Sequence, residues 1–165
     1  MTRSDKGYRA DAAQFFVAGE LCRRELVAVV TMGNCPNTDI LVSNSVATRF
    51  VHVQVKAFIP GGGTCAVGLK AEKDFGKSFF WVLAGIPAPE STKAFEFFVI
   101  PSLELSKAVS ENHRIWEATP GMNGQARSKE NKFRAVHLPP LREGTGWSLE
   151  PFRSRWDLIV DAVRD

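Results

Sequence analysis

The pattern of apolar residues predicts a helix near the start of the chain and a sheet after it. From Asp11 to Glu25 no proline occurs, and apolar residues recur at steps of three and four, as in an amphipathic helix: Ala12, Ala13, Phe16, Val17 and Leu21. Stretches rich in β-branched or aromatic residues follow, divided by segments that carry Gly, Pro, Asn and Ser: Val27 to Thr31, Thr38 to Ser43 and Arg49 to Phe58. We interpret these stretches as three sequential strands.

The rest of the chain adds strands and then helices. The run Pro60 to Gly63 ends the third strand, and two more strands are predicted at Ser78 to Ala84 and Phe95 to Ile100. The sheet would then have about five strands. A second helix is predicted to follow, with Ser102 as its N-cap, and a short helix is predicted within Arg155 to Val163.

Alternation in the second and third strands separates an aliphatic face from a polar one. If the two strands form an antiparallel hairpin in which Asn44 faces Arg49, then Asp39 lies opposite Gln54. The two faces are then Asp39, Leu41, Ser43, Phe50, His52, Gln54 and Lys56 on one side, and Ile40, Val42, Val51, Val53 and Val55 on the other. A slip of one residue would bury the polar set, so the pattern specifies the register.

Composition limits the class of protein. A chain of 165 residues with 44% hydrophobic residues fits one domain, residues 1–165, with a core at about 10–118 and a basic loop and short helix at 119–165. Three widely spaced cysteines without a C-x-x-C pair argue against a disulfide framework or structural zinc, and favour the reducing cytoplasm. The longest apolar stretch, Phe79 to Ile86, is too short to span a membrane.

Polar residues gathered at one end of the hairpin are the candidates for chemistry. Each has an ordinary explanation alone: Asp39 caps a turn, Lys56 extends to water from a strand end, and His52 packs with a hydrogen bond. Asp39 opposite Gln54 and close to Lys56, however, favours a functional site over three unrelated residues.

The order of these residues resembles the PD-(D/E)XK nuclease superfamily. Glu20 lies on the leading helix, Asp39 on a strand, and Gln54-Val55-Lys56 on the partner strand. Gln54 replaces the common carboxylate, as in branches similar to Mrr-type restriction enzymes, and Thr38 replaces the proline of the motif. The resemblance covers roughly the first half of the chain. It implies a restriction-endonuclease-like α/β fold, with a mixed central sheet flanked by helices.

The resemblance also implies an activity and a site. Asp39, the Val55 carbonyl and Glu20 would hold Mg²⁺ or Mn²⁺, Gln54 would complete the catalytic set, and Lys56 would position or activate the attacking water. The expected activity is metal-dependent hydrolysis of phosphodiester bonds, most simply in DNA. Glu20 has a structural hydrogen bond as its alternative role, and His52 is a secondary candidate.

Partners are predicted from a basic loop and from the resemblance. The stretch 119–134 mixes glycine and asparagine with Arg127, Lys129, Lys132 and Arg134, which fits either a nucleic-acid-binding loop or a solvated surface loop. A net charge of +3 permits a polyanionic partner without requiring one. Many enzymes similar to this family act as dimers, which implies a homodimer.

The sequence leaves one alternative to the nuclease and contains one motif that we reject. The neutral Gln54 should weaken metal binding, so a nuclease-like module that only binds nucleic acid or a protein partner is the alternative. Gly76-Lys77-Ser78 is similar to the end of a phosphate-binding loop, but Ala71 stands where the earlier glycine is required and a strand follows, so we expect no nucleoside triphosphate.

Overall fold

A computed structural model describes residues 3–31, 35–128, 131–141 and 146–164. Its helices are α1 (Arg3–Cys22), α2 (Ser102–Ala118) and α3 (Asp157–Val163). Its strands are β1 (Val27–Val30), β2 (Ile40–Ser43), β3 (Phe50–Phe58), β4 (Thr64–Ala66), β5 (Phe79–Gly85), β6 (Glu96–Pro101) and β7 (Ala135–His137). None of the described helices is long and apolar enough to cross a membrane.

The central sheet is mixed and has the strand order β1-β2-β3-β5-β6. Neighbouring strands are antiparallel except for β3 and β5, which run parallel. The predicted α/β fold, with a mixed sheet of about five strands flanked by helices, is therefore confirmed. A parallel pair needs a long connection, and here that connection carries β4 and a short 3₁₀ helix, Leu69–Glu72.

The predicted hairpin register is also confirmed. Ile40 pairs with Val53 and Ser43 with Phe50, the same frame that sets Asp39 opposite Gln54. The aliphatic face of the hairpin packs against α1 and α3 in one buried cluster, which includes Val17, Leu21, Ile40, Val42, Val51, Val53 and Ile159. Burial of this face fixes the direction in which Asp39, Gln54 and Lys56 point, because side chains alternate along a strand.

The opposite face of the sheet packs against α2 and the smaller sheet. Trp81, Leu83, Phe98 and Ile100 from β5 and β6 form a second buried cluster with Leu105 and Val109 of α2 and with Cys65 and Val136. Cys65 and Val136 belong to β4 and β7, which pair as a separate two-stranded antiparallel sheet. This small sheet was not predicted, since strands of three residues are too short to show alternation.

Both ends of α1 and the start of α2 differ from the prediction. Helix α1 begins at Arg3 rather than Asp11 and ends at Cys22, and Glu25 beyond it has a left-handed backbone with φ of 64°. Ser102 is the first residue of α2, and Pro101 holds the N-cap position. The Ser102 hydroxyl instead accepts a hydrogen bond from the Phe75 backbone N–H at 2.7 Å, so this serine joins α2 to the segment before β5.

Candidate active site

Asp39 lies immediately before β2, and its backbone is held on both sides. Its N–H donates to the Val53 carbonyl at 2.9 Å, and its own carbonyl accepts from the Thr31 N–H at 2.9 Å. The side chain then reaches across to β3. Oδ2 accepts a hydrogen bond from the Val55 backbone N–H at 2.7 Å and a second one from Nε2 of Gln54. Asp39 is therefore fixed in position by two neighbouring strands.

The hydrogen bond from Val55 shows how the late start of β2 creates this site. A regular strand would continue alongside Val55, but β2 begins only at Ile40, opposite Val53. The Asp39 carboxylate therefore takes the place that a backbone carbonyl would occupy. Because N–H and C=O of one strand residue point to the same neighbour, the Val55 carbonyl faces this same open edge.

Gln54 and Lys56 point to the same side of β3 and line a cleft with Asp39. The cleft has a volume of about 340 Å³ and is lined by Cys35, Asn37, Asp39, Gln54, Lys56, Val67, Gly68, Leu69, Lys70 and Trp81. Asp39 is the one Asp or Glu among these residues, and Gln54 is largely buried. The structure thus brings together three predicted site residues, Asp39, Gln54 and Lys56, with Val55 beside them.

Trp81 is a member of this cleft that the sequence analysis did not select. It pairs with Gln54 in the parallel register of β3 and β5, so the two side chains are neighbours on one face. Its indole Nε1 is buried and has no hydrogen-bond partner among the described residues. Buried polar groups normally have partners, so this indole N–H is an exception among the described residues.

Cys65 is buried and lies close to Lys56. Burial raises the pKa of the Cys65 thiol to about 12, and the positive charge of Lys56 partly opposes that rise. The thiol is therefore protonated at neutral pH and is a poor nucleophile. Cys65 is therefore not a candidate for catalysis, whereas Lys56 lines the cleft.

Glu20 is not brought to the cleft. It accepts hydrogen bonds from Arg23 at 3.0 Å and from Arg24 at 2.6 Å. Partial burial raises the Glu20 pKa, but the hydrogen bonds and charges of these arginines outweigh it, so the pKa is lowered overall. Arg9, in the first half of α1, lines a cleft with the last residues of β3, whereas Glu20 is about 16 Å farther along the helix and does not line the Asp39 cleft. The structure favours its alternative role in a local ion pair.

His52 shares the polar face but does not line the cleft. Its Nδ1 is 2.9 Å from the hydroxyl oxygen of Thr38, and its ring stacks on Phe79 with a centroid distance of 6.5 Å. These contacts match the packed, hydrogen-bonded role that was considered for this residue.

The predicted basic loop is partly used for structure. Arg134 is buried, forms an ion pair with Glu72 at 2.5 Å and donates to the backbone carbonyls of Asn131 and Phe133. The Arg127 guanidinium lies 4.9 Å from the centre of the Trp116 ring. Lys132 is exposed, and Lys129 lies outside the described residues.

The cleft offers oxygen atoms to a divalent cation. The Asp39 carboxylate accepts its hydrogen bonds from the Gln54 side chain and the Val55 backbone N–H through Oδ2, so among the described residues Oδ1 is left for a ligand. No group of three His, Cys, Asp or Glu side chains suited to a metal occurs in the part of the chain that the structure describes. Mg²⁺, however, binds through one or two carboxylates plus waters and substrate phosphates. Asp39 with the Gln54 and Val55 oxygens therefore fits a weak Mg²⁺ site that substrate would complete.

Comparison with known proteins gives a structural relative but no sequence family. No family model matches the chain, and no curated protein matches its sequence. A solved structure of a bacterial homing endonuclease is similar over 94% of this chain and 92% of that chain, with a TM-score of 0.52 and 16% identity. At this identity the similarity concerns the fold alone, and it shows that this chain shares its overall architecture with that endonuclease.

Proposed function

We propose that this protein is a metal-dependent nuclease of the PD-(D/E)XK type that hydrolyses phosphodiester bonds in DNA. The observation that carries the proposal is the Asp39 cluster, by which we mean Asp39, Gln54, Val55 and Lys56. The Asp39 carboxylate accepts hydrogen bonds from the Gln54 amide and the Val55 N–H, in a cleft that Lys56 also lines. The homing endonuclease of similar fold supports the choice of DNA as substrate.

In this proposal Asp39, the Gln54 side-chain oxygen and the Val55 carbonyl hold the cation. When bound, Mg²⁺ or Mn²⁺ supplies positive charge against the negative charge that develops on the phosphate. The three ligands come from two strands joined by hydrogen bonds, so they need little reorganisation. Glu20 is left out of the set because its carboxylate is paired with Arg23 and Arg24.

Lys56 contributes charge and orientation. Its ammonium group donates hydrogen bonds to the attacking water and to a phosphate oxygen, which aligns the two for reaction. The water oxygen forms a bond to phosphorus while one P–O ester bond breaks. The attacking water gives up a proton and the leaving oxygen takes one up, so the products are a phosphomonoester and an alcohol. No side chain of the protein becomes covalently modified.

A second candidate is a nuclease-like module that binds nucleic acid or a protein partner without cutting. It is favoured by the single carboxylate in the cleft, because Gln54 adds no negative charge to attract a cation. A homodimer remains part of the first proposal, since one such site cuts one strand of a duplex at a time.

Cleavage of plasmid and short oligonucleotides by the purified protein tests the proposal. We expect cutting with Mg²⁺ or Mn²⁺, none with EDTA, and loss of cutting in Lys56→Ala prepared in parallel. Circular dichroism of the variant controls for folding. Absence of cutting by the folded wild type with every metal would favour the binding module, and full cutting by Lys56→Ala would contradict the role given to Lys56.

A further inference from the structure

Two of the four basic residues of the predicted loop are held by contacts within the protein. Arg134 is buried against Glu72, and Arg127 lies over Trp116 and donates to the Thr119 carbonyl at 3.2 Å. A guanidinium that is buried in an ion pair cannot move to a phosphate without leaving a carboxylate unpaired. Arg134 is therefore unsuited to contact a phosphate, whereas other cations lie closer to the Asp39 cluster.

A second cleft adjoins the candidate site at Lys56. It has a volume of about 490 Å³ and runs along the open edge of β3 beyond the start of β2. It is lined by Lys6, Arg9 and Ala10 of α1, by residues 55–59, and by Gly62, Thr64, Cys65 and Ala66. Lys56 lines both clefts, so they adjoin at this lysine, with the Asp39 cluster on one side of it; we call the two clefts together the groove.

The charges along this groove are nearly all positive. The described lining residues include Lys6 and Arg9 on one side of Lys56 and Lys70 on the other, and Asp39 is their one acidic member. Lys6 and Arg9 are three residues apart on α1, a spacing that places both on the same helix face. Lys6 and Lys70 are exposed. Such a row of cations suits a chain of phosphates better than a single small anion.

We propose that one strand of the DNA substrate lies in this groove, with phosphates on one side of the scissile bond at Lys6 and Arg9 and phosphates on the other side at Lys70. This assignment rests on the proposed nuclease function. It gives the path of the strand through the site and assigns contacts to the backbone that do not depend on Arg134.

The salt dependence of DNA binding tests this path separately from catalysis. Binding of a labelled duplex and of a single strand is measured in EDTA at several salt concentrations, for wild type, Lys6→Ala/Lys70→Ala and Lys107→Ala. Lys107 is the matched control because it is exposed on α2 and lines neither cleft. Thermal denaturation confirms that each variant is folded.

We expect the slope of log affinity against log salt to become shallower by about 1 for each groove lysine removed. The control should keep the wild-type slope. An unchanged slope and affinity in Lys6→Ala/Lys70→Ala, with a wild type that binds and cuts, would overturn the groove and leave the nuclease intact. Groove-dependent binding without cutting would support the groove and overturn the nuclease. Failure of the folded wild type to bind either DNA at low salt would overturn both.

Discussion

The two faces of the β2–β3 hairpin are built from alternate residues of the same strands, yet they do different work. On one face Val42, Val51 and Val53 are at most 1% exposed and pack beneath α1. On the other face Asp39 and Gln54 bond each other beside a cleft. The first face contributes the apolar burial that stabilises the fold. The second face lowers the stability, because it partly buries polar groups that packing alone does not require.

This difference locates the functional surface. Polar groups away from water cost stability unless they are hydrogen-bonded, and here the Val55 N–H and the Gln54 amide satisfy Asp39. Trp81 Nε1, on the same side, lacks such a partner among the described residues. A cluster that is satisfied internally but opens to a cleft is suited to binding a ligand.

The largest expected effect compares adjacent positions on the two faces. Val53→Asp places a carboxylate in the aliphatic cluster and should cost about 3–5 kcal/mol of unfolding free energy or more, because nothing there pairs with it. Gln54→Glu introduces the same kind of group one residue later, on the cleft side, and should leave a folded protein. Urea denaturation followed by circular dichroism measures both. Equal destabilisation would contradict the division between the faces.

Gln54→Glu also sharpens the role of the cleft face. Without metal the variant loses the donor to Asp39 and gains a like charge, so we expect a loss of about 1–3 kcal/mol. With two carboxylates the site should bind Mg²⁺ more tightly, so Mg²⁺ should raise the melting temperature of the variant more than that of the wild type. No response to Mg²⁺ in either protein would argue against a cation at Asp39.

A smaller effect concerns Cys65, which is buried beside Lys56. Cys22 and Cys35 are exposed, whereas the pKa of Cys65 is raised to about 12 by burial. At pH 8 a thiol reagent should label two cysteines quickly and the third only after unfolding. Fast labelling of all three would show that the reagent reaches Cys65 in the folded protein, which contradicts its burial.

The same thiol gives a pH dependence with a defined sign. In the unfolded chain it ionises near its ordinary pKa of 9.0, but in the folded chain only near 12. The unfolded state therefore binds fewer protons between these values, and this group lowers the free energy of unfolding as pH rises through that window. Cys65→Ala should show a smaller decline, measured by urea denaturation from pH 8 to 11. An equal decline in the variant would assign the effect to other groups.

Much of the hairpin could be predicted because its two faces differ so strongly. Alternating valines fix which residues turn inward, and the register then places Asp39 opposite Gln54. The rest depends on contacts between distant parts of the chain. Trp81 becomes a neighbour of Gln54 only through the parallel β3–β5 pairing. Arg134 pairs with Glu72, which lies 62 residues away along the chain. Neither contact leaves a local pattern in the sequence.

Glu20 shows why a motif residue cannot be assigned from order alone. A carboxylate on the leading helix fits the resemblance, but the helix position also places it within reach of Arg23 and Arg24, three and four residues later. Only the direction in which α1 crosses the sheet separates these outcomes.

The most direct test of the central claim compares the two carboxylates by rate of metal-dependent DNA cleavage. Asp39→Asn removes the carboxylate in the cleft, and Glu20→Gln removes the one paired with arginines. We expect Asp39→Asn to reduce the rate by about 100-fold or more and Glu20→Gln to keep a rate near wild type. Full activity in Asp39→Asn, or a loss confined to Glu20→Gln, would contradict the account.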